Sequence, residues 1–295
     1  MPTVSVIIPT YNRADSVCES IDSVLVQSCA DFEVLVVDDG STDHTGEVLA
    51  PYVRDGRIRL IRGEHRGAAA ARNLGLAHAC GEFIGFCDSD DLWVPNKLEL
   101  QLSYFASHPH VDLVFGDIAS YRDGRLETQS YFAERKPYAG RVFHKLFERN
   151  FVTNVTVLVR KPALTEIGGY DEKLKTSEDN DLWLRFSQRF QIGFVNPVLV
   201  KVRRHGGNLT SNADEAFANR LAVLKSIAAQ KGNIPRRVIR RAYANIYRSM
   251  GYDRLHQRRA KDAKSALLES IRLNPWSLTS YKYLLATLFP VNVQH

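Results

Sequence analysis

The first 120 residues alternate short apolar runs with amphipathic stretches, and this alternation constrains the fold more than any other feature of the chain. The runs are rich in Val and Ile, as strands are, and the stretches between them have apolar residues at helical spacing. Strands that alternate with helices form parallel sheets, because right-handed crossovers return the chain to the same end of the sheet. The sequence therefore predicts an α/β fold with a mostly parallel, doubly wound sheet.

The predicted elements follow one another with short connections. Strands are predicted at 4–9, 32–38, 57–62, 82–88, 111–120, 156–160 and 198–203, and helices at 16–27, 42–52, 67–79, 95–106 and 178–189. Every segment beyond Asp214 has a helical pattern. We therefore expect an α/β domain over residues 1–212 and a basic, helical C-terminal extension over residues 213–295.

Polar segments follow three of the predicted strands. They are Pro9–Asn12 after the first strand, Asp38–Asp43 after the second and Asp88–Asp91 after the fourth. In open α/β sheets, ligands bind beyond the carboxyl ends of the strands. Because two of the three segments are acidic, this edge of the sheet is expected to bind a nucleotide and a cation.

The segment Asp88–Asp91 is the sharpest of these signals. Its three carboxylates repel one another unless a cation or basic groups compensate them. Mg²⁺ and Mn²⁺ are commonly held by one or two carboxylates together with substrate phosphates. An acidic turn that caps the helix near Pro95 is the alternative. The position directly after a buried strand favours the metal site.

The other candidate residues have strong structural alternatives. Asp39 could accept from a pyrimidine N–H or a ribose hydroxyl, but its segment also suits a turn and a helix N-cap. Arg72 alone is typical of a surface ion pair. Glu178 and Asp179 begin a helix, where acidic residues complement the macrodipole, although a carboxylate there could also be a general base. His205 alone is typical of a structural histidine.

The chain lacks the motifs of several other enzyme classes. It has no Gly-rich dinucleotide fingerprint, no phosphate-binding P-loop and no nucleophile elbow. Its four cysteines form no C-x-x-C pair, so we expect reduced thiols in a cytoplasmic protein. The apolar run at 4–8 is too short for a signal peptide, and no run reaches the roughly 18 apolar residues of a membrane-spanning helix.

Six blocks in this order and spacing resemble the family-2 glycosyltransferases, which have the GT-A fold. The resemblance covers roughly residues 3–212. The blocks are Val4–Asn12, Val37–Ser41, Ala71–Gly75, Asp88–Asp91, Gly168–Glu172 and Glu178–Asp179.

The resemblance implies a role for each candidate residue. Pro9, Tyr11, Asp39 and Arg72 match positions that hold the nucleotide base, and Asp88 matches one near the ribose. Asp90 matches the ligand of a Mn²⁺ or Mg²⁺ ion at the donor diphosphate, with Asp91 as a helper and His205 as a further ligand. Asp179 matches the catalytic base, with Glu178 beside it.

The same resemblance implies an inverting, hexosyltransferase-type reaction. A sugar would pass from a nucleotide-sugar donor to a hydroxyl of a glycan or lipid-linked acceptor. UDP is the expected nucleotide of the sugar donor, and dTDP and GDP are the alternatives. The alternatives are a sugar nucleotidyltransferase, which would need a Gly-rich loop after the first strand, and a nucleotide-sugar-binding scaffold without activity, which would not need a base.

Positive charge is concentrated in residues 231–264, which have eleven Lys and Arg side chains against two Asp. Each Lys or Arg near an anionic leaflet can contribute about 1 kcal/mol, so we expect peripheral association with the cytoplasmic face of a membrane. The apolar stretch 283–289 is expected to dip into that interface or to contact a second copy of the chain. Nucleic acid is not an expected partner, because the segment has no recognisable binding module.

Overall fold

The structure, a computed structural model, describes residues 1–29, 31–122, 124–133, 137–204, 213–230 and 234–288. The chain divides into two units. The first comprises Met1–Val142 and Phe151–Gly206, and the second comprises Phe143–Asn150 and Gly207–His295. The segment Phe143–Asn150 therefore belongs with the C-terminal unit, although the sequence pattern assigns it to the α/β domain.

Strands and helices of the first unit alternate as predicted up to the fourth strand. The strands are β1 (Val4–Thr10), β2 (Phe32–Asp38), β3 (Arg59–Arg62), β4 (Phe83–Phe86), β5 (Leu92–Trp93), β6 (Leu113–Arg122), β7 (Arg125–Thr128), β8 (Leu158–Arg160) and β9 (Ile192–Arg203). The helices are α1 (Val17–Leu25), α2 (Thr45–Arg54), α3 (Ala68–His78), α4 (Lys97–Ser107), α6 (Lys161–Ile167) and α7 (Glu178–Ser187), with a 3₁₀ turn at Asn154–Thr156.

Strand β1 lies at the centre of the parallel part of the sheet. All of its seven residues are buried. It pairs in parallel with β2 on one side and β4 on the other, and β3 adds to β2 in the same direction. A strand that is covered on both faces reads as a continuous apolar run, and this is why the sequence pattern identifies β1 so clearly.

Beyond β4 the sheet is mixed, which differs from the mostly parallel sheet that the sequence predicts. The order of the described strands is β3-β2-β1-β4-β8-β6-β9-β5, with β7 beside β6. Strand β8 is antiparallel to β4 and β6, whereas β6 and β9 are parallel. The strand–helix alternation that predicts parallel pairing ends before β8, so the local pattern holds no information on its direction. The α/β class with a helical C-terminal extension is confirmed.

The sequence pattern does not predict β5, β7 or α6. Strand β5 has two residues and is recognisable only through its pairing with β9. The four residues of β7 are all exposed, so they show no alternation of apolar and polar side chains. Helix α6 has a proline in its first turn and ends at Gly168 with φ of 86°. Both are ordinary helix boundary signals, but the helix between them has only seven residues.

The second unit consists of helices in its described part. They are α5 (Phe143–Glu148), α8 (Ala213–Gln230), α9 (Arg236–His256), α10 (Ala260–Leu273) and α11 (Leu278–Ala286). Helices α9 and α10 pack closely, because a Cβ added at Gly251 would lie 2.5 Å from the Cγ of Leu267. Asn245 of α9 donates to the carbonyl oxygen of Glu148 at 2.9 Å and so holds α5. No described helix is long and apolar enough to cross a membrane.

Helix α3 packs closely on the sheet at Gly75, where an added Cβ would lie 2.5 Å from the Cγ2 of Ile7. We expect Gly75→Ala to lower the free energy of unfolding by about 1–3 kcal/mol through overpacking. The control is Gly46→Ala in α2, where a Cβ would meet no atom within 4 Å. Urea denaturation compares the two variants, and equal losses would contradict the close packing of α3 on β1.

Candidate active site

The ends of β1, β2 and β4 lie together at one edge of the sheet, as the sequence predicts. The backbone N–H of Asp39 donates to the carbonyl oxygen of Thr10 at 2.9 Å, and the N–H of Cys87 donates to that of Ile7 at 3.1 Å. Parallel pairing with β1 on both sides causes this arrangement. The segments after β1, β2 and β4 therefore border one site.

An aromatic pair lies at this edge. The ring of Tyr11, which is 38% exposed, stacks on His65 with 4.1 Å between ring centroids and 27° between the planes. His65 lies against the turn at Gly40, where an added Cβ would be 3.3 Å from the backbone nitrogen of His65. Pro9 is buried within β1. The sequence pattern gives no signal for His65.

Asp39 anchors the loop that leads into α3. Its buried carboxylate accepts from the backbone N–H of Arg66 at 3.0 Å and from that of Gly67 at 2.7 Å. A carboxylate at a helix N-terminus also complements the macrodipole. The residue borders a cleft of about 410 Å³. The cleft is lined by Asp39, Arg62, Gly63, Glu64, Arg66, Ala70, Ala71, Asn73, Leu74 and Glu172.

Arg72 is buried and joins two of the predicted acidic motifs. One Nη donates to Asp88 and the other to Glu178, each at 2.8 Å. Burial lowers the pKa of Arg72, but the negative charges of Asp88 and Glu178 outweigh this effect and raise it above its ordinary value. The guanidinium therefore stays charged and holds the segment after β4 against the start of α7.

The remaining carboxylates after β4 have different surroundings. Asp90 has 18% of its side chain exposed and lies 3.9 Å from an Nη of Arg13. Asp91 is buried, and its Oδ1 accepts from the backbone N–H of Arg203 in β9 at 2.9 Å. Burial, followed by the charges of Asp88 and Asp90, raises the pKa of Asp91 well above its ordinary value. Asp91 is therefore close enough to its two neighbouring carboxylates for their charges to act on it.

The carboxylates of this segment fit a cation that binds together with substrate phosphates. Within the described ranges, no set of three or more His, Cys, Asp or Glu side chains could enclose a metal ion. Mg²⁺ and Mn²⁺ sites of nucleotide-dependent enzymes need only one or two protein carboxylates. His205, the third predicted ligand, lies outside the described residues.

Glu178 and Asp179 form the first turn of α7. The preceding residue, Ser177, has φ of 65°, a left-handed conformation that is uncommon for a residue other than glycine. Such strained residues cluster at active sites. Asp179 is half-buried, and its Oδ1 accepts from the backbone N–H of Asn180 at 2.7 Å. The contact between Glu178 and Arg72 brings this turn to the edge of the sheet.

Asn73 is a further site residue, and the sequence motif contained it without indicating its role. Its Oδ1 accepts from the backbone N–H of Tyr170, and its Nδ2 donates to the carbonyl oxygen of Tyr170 and to Glu172, all at 2.9 Å. Asn73 thereby holds the segment Gly168–Glu172 on α3. Two of the six motif blocks are joined by this one side chain.

Residues 5–168 match the family described as Glycosyl transferase family 2. The chain belongs to this family. Membership in it agrees with the six sequence blocks and favours a sugar-transfer domain over the nucleotidyltransferase and scaffold alternatives.

The curated relatives of this chain include bacterial glycosyltransferases. The chain is 35% identical over 210 residues to a glycosyltransferase of Rickettsia felis, a match that covers 70% of this chain and 34% of that protein. It is 32% identical over 212 residues to the Escherichia coli UDP-Glc:alpha-D-GlcNAc-diphosphoundecaprenol beta-1,3-glucosyltransferase WfgD, covering 71% of this chain and 80% of WfgD. The chain thus spans about a third of the length of the first relative.

Solved structures confirm the GT-A fold. The S. aureus protein TarS 1–349 in complex with UDP matches with a TM-score of 0.65 at 20% identity, covering 97% of this chain and 88% of that one. The Pyrobaculum calidifontis mannosyltransferase PcManGT in complex with GDP-Man and Mn²⁺ matches with a TM-score of 0.64 at 19% identity, covering 97% and 86%. At these identities the likeness concerns the fold.

The two backbone bonds to Asp39 predict the effect of Asp39→Asn. Asparagine has one acceptor oxygen, so the N–H of Arg66 or of Gly67 loses its partner. We expect the free energy of unfolding to fall by about 1–3 kcal/mol. Asp55→Asn, at an exposed ion pair with Arg57, should change it by less than about 0.5 kcal/mol. Chemical denaturation tests both, and a neutral Asp39→Asn would show that the loop has another anchor.

Proposed function

We propose that the protein is an inverting glycosyltransferase of the hexosyltransferase type. It transfers a sugar from a nucleotide-diphosphate sugar, with UDP as the default nucleotide, to a hydroxyl of a glycan or lipid-linked saccharide. The main support for the proposal is the contact of Arg72 with both Asp88 and Glu178. It joins Asp88, in the segment proposed to bind the nucleotide sugar, to the turn that contains Asp179. A single displacement needs a donor site and a base on opposite sides of one sugar.

The donor nucleotide is proposed to bind at the cleft beside Asp39 and the exposed ring of Tyr11. The buried carboxylate and the Tyr11–His65 stack offer a hydrogen-bond acceptor and an aromatic surface at one end of the nucleotide site. The name of WfgD specifies UDP-Glc, which supports UDP. PcManGT is shown with GDP-Man, which leaves GDP open.

A Mn²⁺ or Mg²⁺ ion is proposed at Asp90, a partly exposed carboxylate that lies between Asp88 and Asp91 in the sequence. Asp91 is a weaker ligand, because its Oδ1 already accepts from Arg203. His205 is retained as a proposed ligand. When bound, the ion offsets the negative charge that develops on the leaving nucleoside diphosphate.

Asp179 is proposed as the general base. It accepts the proton of the acceptor hydroxyl while that oxygen forms a bond to the anomeric carbon. The bond between this carbon and the diphosphate oxygen breaks on the opposite face, and the electron pair leaves with the nucleoside diphosphate. One displacement inverts the anomeric configuration, so no covalent intermediate on the protein is required. General-base catalysis contributes typically about 10² to 10⁴ in rate.

The acceptor is proposed to lie at an anionic membrane surface. The name of WfgD specifies a diphosphoundecaprenol-linked acceptor, and this supports a lipid-linked substrate. Arg236 and Arg237 are exposed at the start of α9. Arg240 donates to the carbonyl oxygens of Arg272 and Leu273, each at 3.1 Å, so its charge lies just before the turn that contains Trp276.

The apolar side chains that favour an interface lie on one face of α11 and just beyond it. Trp276 is 90% exposed and Leu278 is 83% exposed. Leu278, Tyr281, Leu285 and Leu288 follow at helical spacing and are also exposed. Tyr283, which lies in the stretch that the sequence predicts for contact with a membrane or a second copy, packs against Tyr252 with 5.0 Å between ring centroids. Residue 289 lies outside the described residues.

Nucleotide binding tests the proposed donor site. A nucleotide at about 100 times its dissociation constant should stabilise the protein by roughly 2.7 kcal/mol. We expect a thermal shift with UDP and Mn²⁺ that largely disappears with EDTA or in Asp90→Ala. The exposed Asp55→Ala should behave like the wild type. The absence of a shift with UDP, GDP, dTDP and CMP would contradict a donor site in this protein.

Substitution of the proposed base separates binding from chemistry. Asp179→Asn should reduce kcat by about 10² to 10⁴, because the amide cannot accept the proton. Affinity for UDP should change by less than about threefold. Release of UDP from UDP-glucose with a GlcNAc-diphosphate-lipid acceptor measures turnover, and calorimetry measures binding. Glu166→Gln, at an ion pair with Arg189 just after the end of α7, is the control. An unchanged kcat in Asp179→Asn would remove this residue from the mechanism.

Membrane association is tested by flotation with vesicles that contain anionic lipid. Arg236→Gln/Arg237→Gln removes two positive charges and should weaken the free energy of binding to the vesicles by about 2 kcal/mol, which is roughly a 30-fold loss of affinity. Arg54→Gln/Arg57→Gln removes two charges from the first unit and should have no effect. Concentration-dependent self-association without flotation would assign the exposed face of α11 to a second copy of the chain.

A further inference from the structure

Asp117 in β6 is a buried carboxylate that the proposed reaction does not use. It is 2% exposed. Its Oδ1 accepts from the backbone N–H groups of Tyr131 and Phe132 at 3.0 and 3.1 Å, and its Oδ2 accepts from the hydroxyl of Ser130. A buried carboxylate is costly unless hydrogen bonds compensate it. Because three consecutive residues supply these bonds, Asp117 fixes the segment 130–132 on β6.

The direction of the strands defines where this segment lies. Strands β4 and β6 run in the same direction, because both are antiparallel to β8. Gly85 of β4 and Val114 of β6 pair with the same residue of β8, Leu158. The next residues, Phe86 and Phe115, therefore lie at one level of the sheet and point to its opposite face, because side chains alternate along a strand.

The segment 130–132 lies on the face of the sheet that packs against α7. The ring of Phe86 lies 6.5 Å from that of Trp183 in α7, and the ring of Phe115 lies 6.3 Å from that of Phe132, measured between centroids. Helix α7 begins with the turn that contains the proposed base. The anchor of the segment follows Phe115 by two residues, as the acidic segment after β4 follows Phe86. Both therefore lie towards the same edge of the sheet.

Tyr131 is held by its backbone, while its side chain is open to solvent. Its N–H also donates to the carbonyl oxygen of Ile118 at 3.0 Å. Tyr131 is 59% exposed, whereas the neighbouring Phe132 is 4% exposed and packs edge-on against the Tyr131 ring with 5.0 Å between centroids. A group that is fixed before binding loses little conformational freedom when a ligand arrives. The segment thus presents an aromatic surface at a low entropic cost.

The place of this surface in the sheet suits the acceptor. The proposed nucleotide cleft lies beside Asp39, which follows β2, and the strand order places β1, β4 and β8 between β2 and β6. In an inverting displacement, the acceptor approaches the anomeric carbon from the side opposite to the leaving nucleotide. A pyranose ring has a face of C–H groups that packs on an aromatic ring, and a tyrosine adds a hydroxyl that can bond to sugar hydroxyls.

We propose that Tyr131 is an acceptor-binding residue whose ring packs on a pyranose ring of the acceptor saccharide. The inference rests on the proposed function and deepens it, because it assigns the sugar part of the acceptor to a defined surface beside β6. The buried carboxylate of Asp117 holds this surface in place.

Replacement of the ring separates acceptor binding from chemistry. Truncation of an aromatic side chain at the centre of a contact commonly costs about tenfold in affinity. For Tyr131→Ala, we expect the KM for a GlcNAc-diphosphate-lipid acceptor to rise about tenfold, whereas kcat and the dissociation constant of UDP with Mn²⁺ change by less than about threefold. Tyr131→Phe keeps the ring and should stay within about threefold of the wild-type KM. An unchanged KM in Tyr131→Ala would overturn the inference, and so would an equal loss in Tyr131→Phe.

Leu126→Ala is the matched control. Leu126 lies in β7 of the same hairpin, pairs in register with Tyr121 of β6 and is 55% exposed. Its truncation removes a similarly exposed apolar side chain, and we expect the KM for the acceptor to equal that of the wild type. If Leu126→Ala raises this KM as much as Tyr131→Ala does, loosening of the hairpin explains both effects and the inference is wrong.

Two acceptors that differ only in their lipid distinguish sugar contact from lipid contact. Both have the GlcNAc-diphosphate group, and one has a short lipid chain while the other has a long one. The ratio of the KM of Tyr131→Ala to that of the wild type should be the same for both acceptors, because the ring contacts the shared sugar. A ratio that grows with the length of the chain would assign Tyr131 to the lipid and overturn the inference.

The wild type distinguishes the inference from the function on which it rests. A wild type that neither binds a nucleotide nor releases UDP would overturn both. If the wild type binds UDP but does not use this acceptor, the wild type and Tyr131→Ala are compared on a panel of immobilised glycans with UDP and Mn²⁺ present. The wild type should bind at least one glycan that Tyr131→Ala does not bind. A panel that fails to separate the two proteins would overturn the inference alone.

Discussion

Repulsion among carboxylates is the constraint on which the rest of the site depends. The parallel pairing of β1 with β2 and β4 places several acidic side chains at one edge of the sheet, and neighbouring negative charges raise one another's pKa. The described structure offsets them with donors from separate elements. Backbone N–H groups before α3 serve Asp39, Arg72 serves Asp88 and Glu178, and the N–H of Arg203 serves Asp91. Each compensating bond also joins two segments, so the same contacts that balance the charge assemble the site.

This compensation separates structural carboxylates from those suited to chemistry. Asp39 and Asp91 accept from backbone groups and are buried, so their first role is to hold loops in place. Asp90 is partly exposed, and an Nη of Arg13 lies 3.9 Å from its carboxylate. Asp179 lies half-buried beside Glu178. These differences in burial and bonding are the reason that we propose Asp90 as the metal ligand and Asp179 as the base of this family-2 member.

The matches to known proteins cover the two units of the chain to different extents. The family match ends at residue 168, and the match to WfgD covers 71% of the chain. The structural match to PcManGT covers 97%, so the helical unit also has counterparts in solved glycosyltransferases. Its close packing at Gly251 needs only a small residue at one helix contact.

The sequence by itself determined the parallel half of the sheet, the order of the first strands and helices, and the acidic segments at their ends. These features follow from local hydrophobic pattern, because β1 is buried on both faces and the polar segments follow at once. The direction of β8, the membership of α5 in the second unit and the stack of Tyr11 on His65 were decided only by tertiary structure. The same holds for Arg72, whose motif was visible but whose partners lie 16 and 106 residues away. A local pattern reports whether a side chain prefers water or the core, but a pairing between distant segments arises only when the folded chain brings them together.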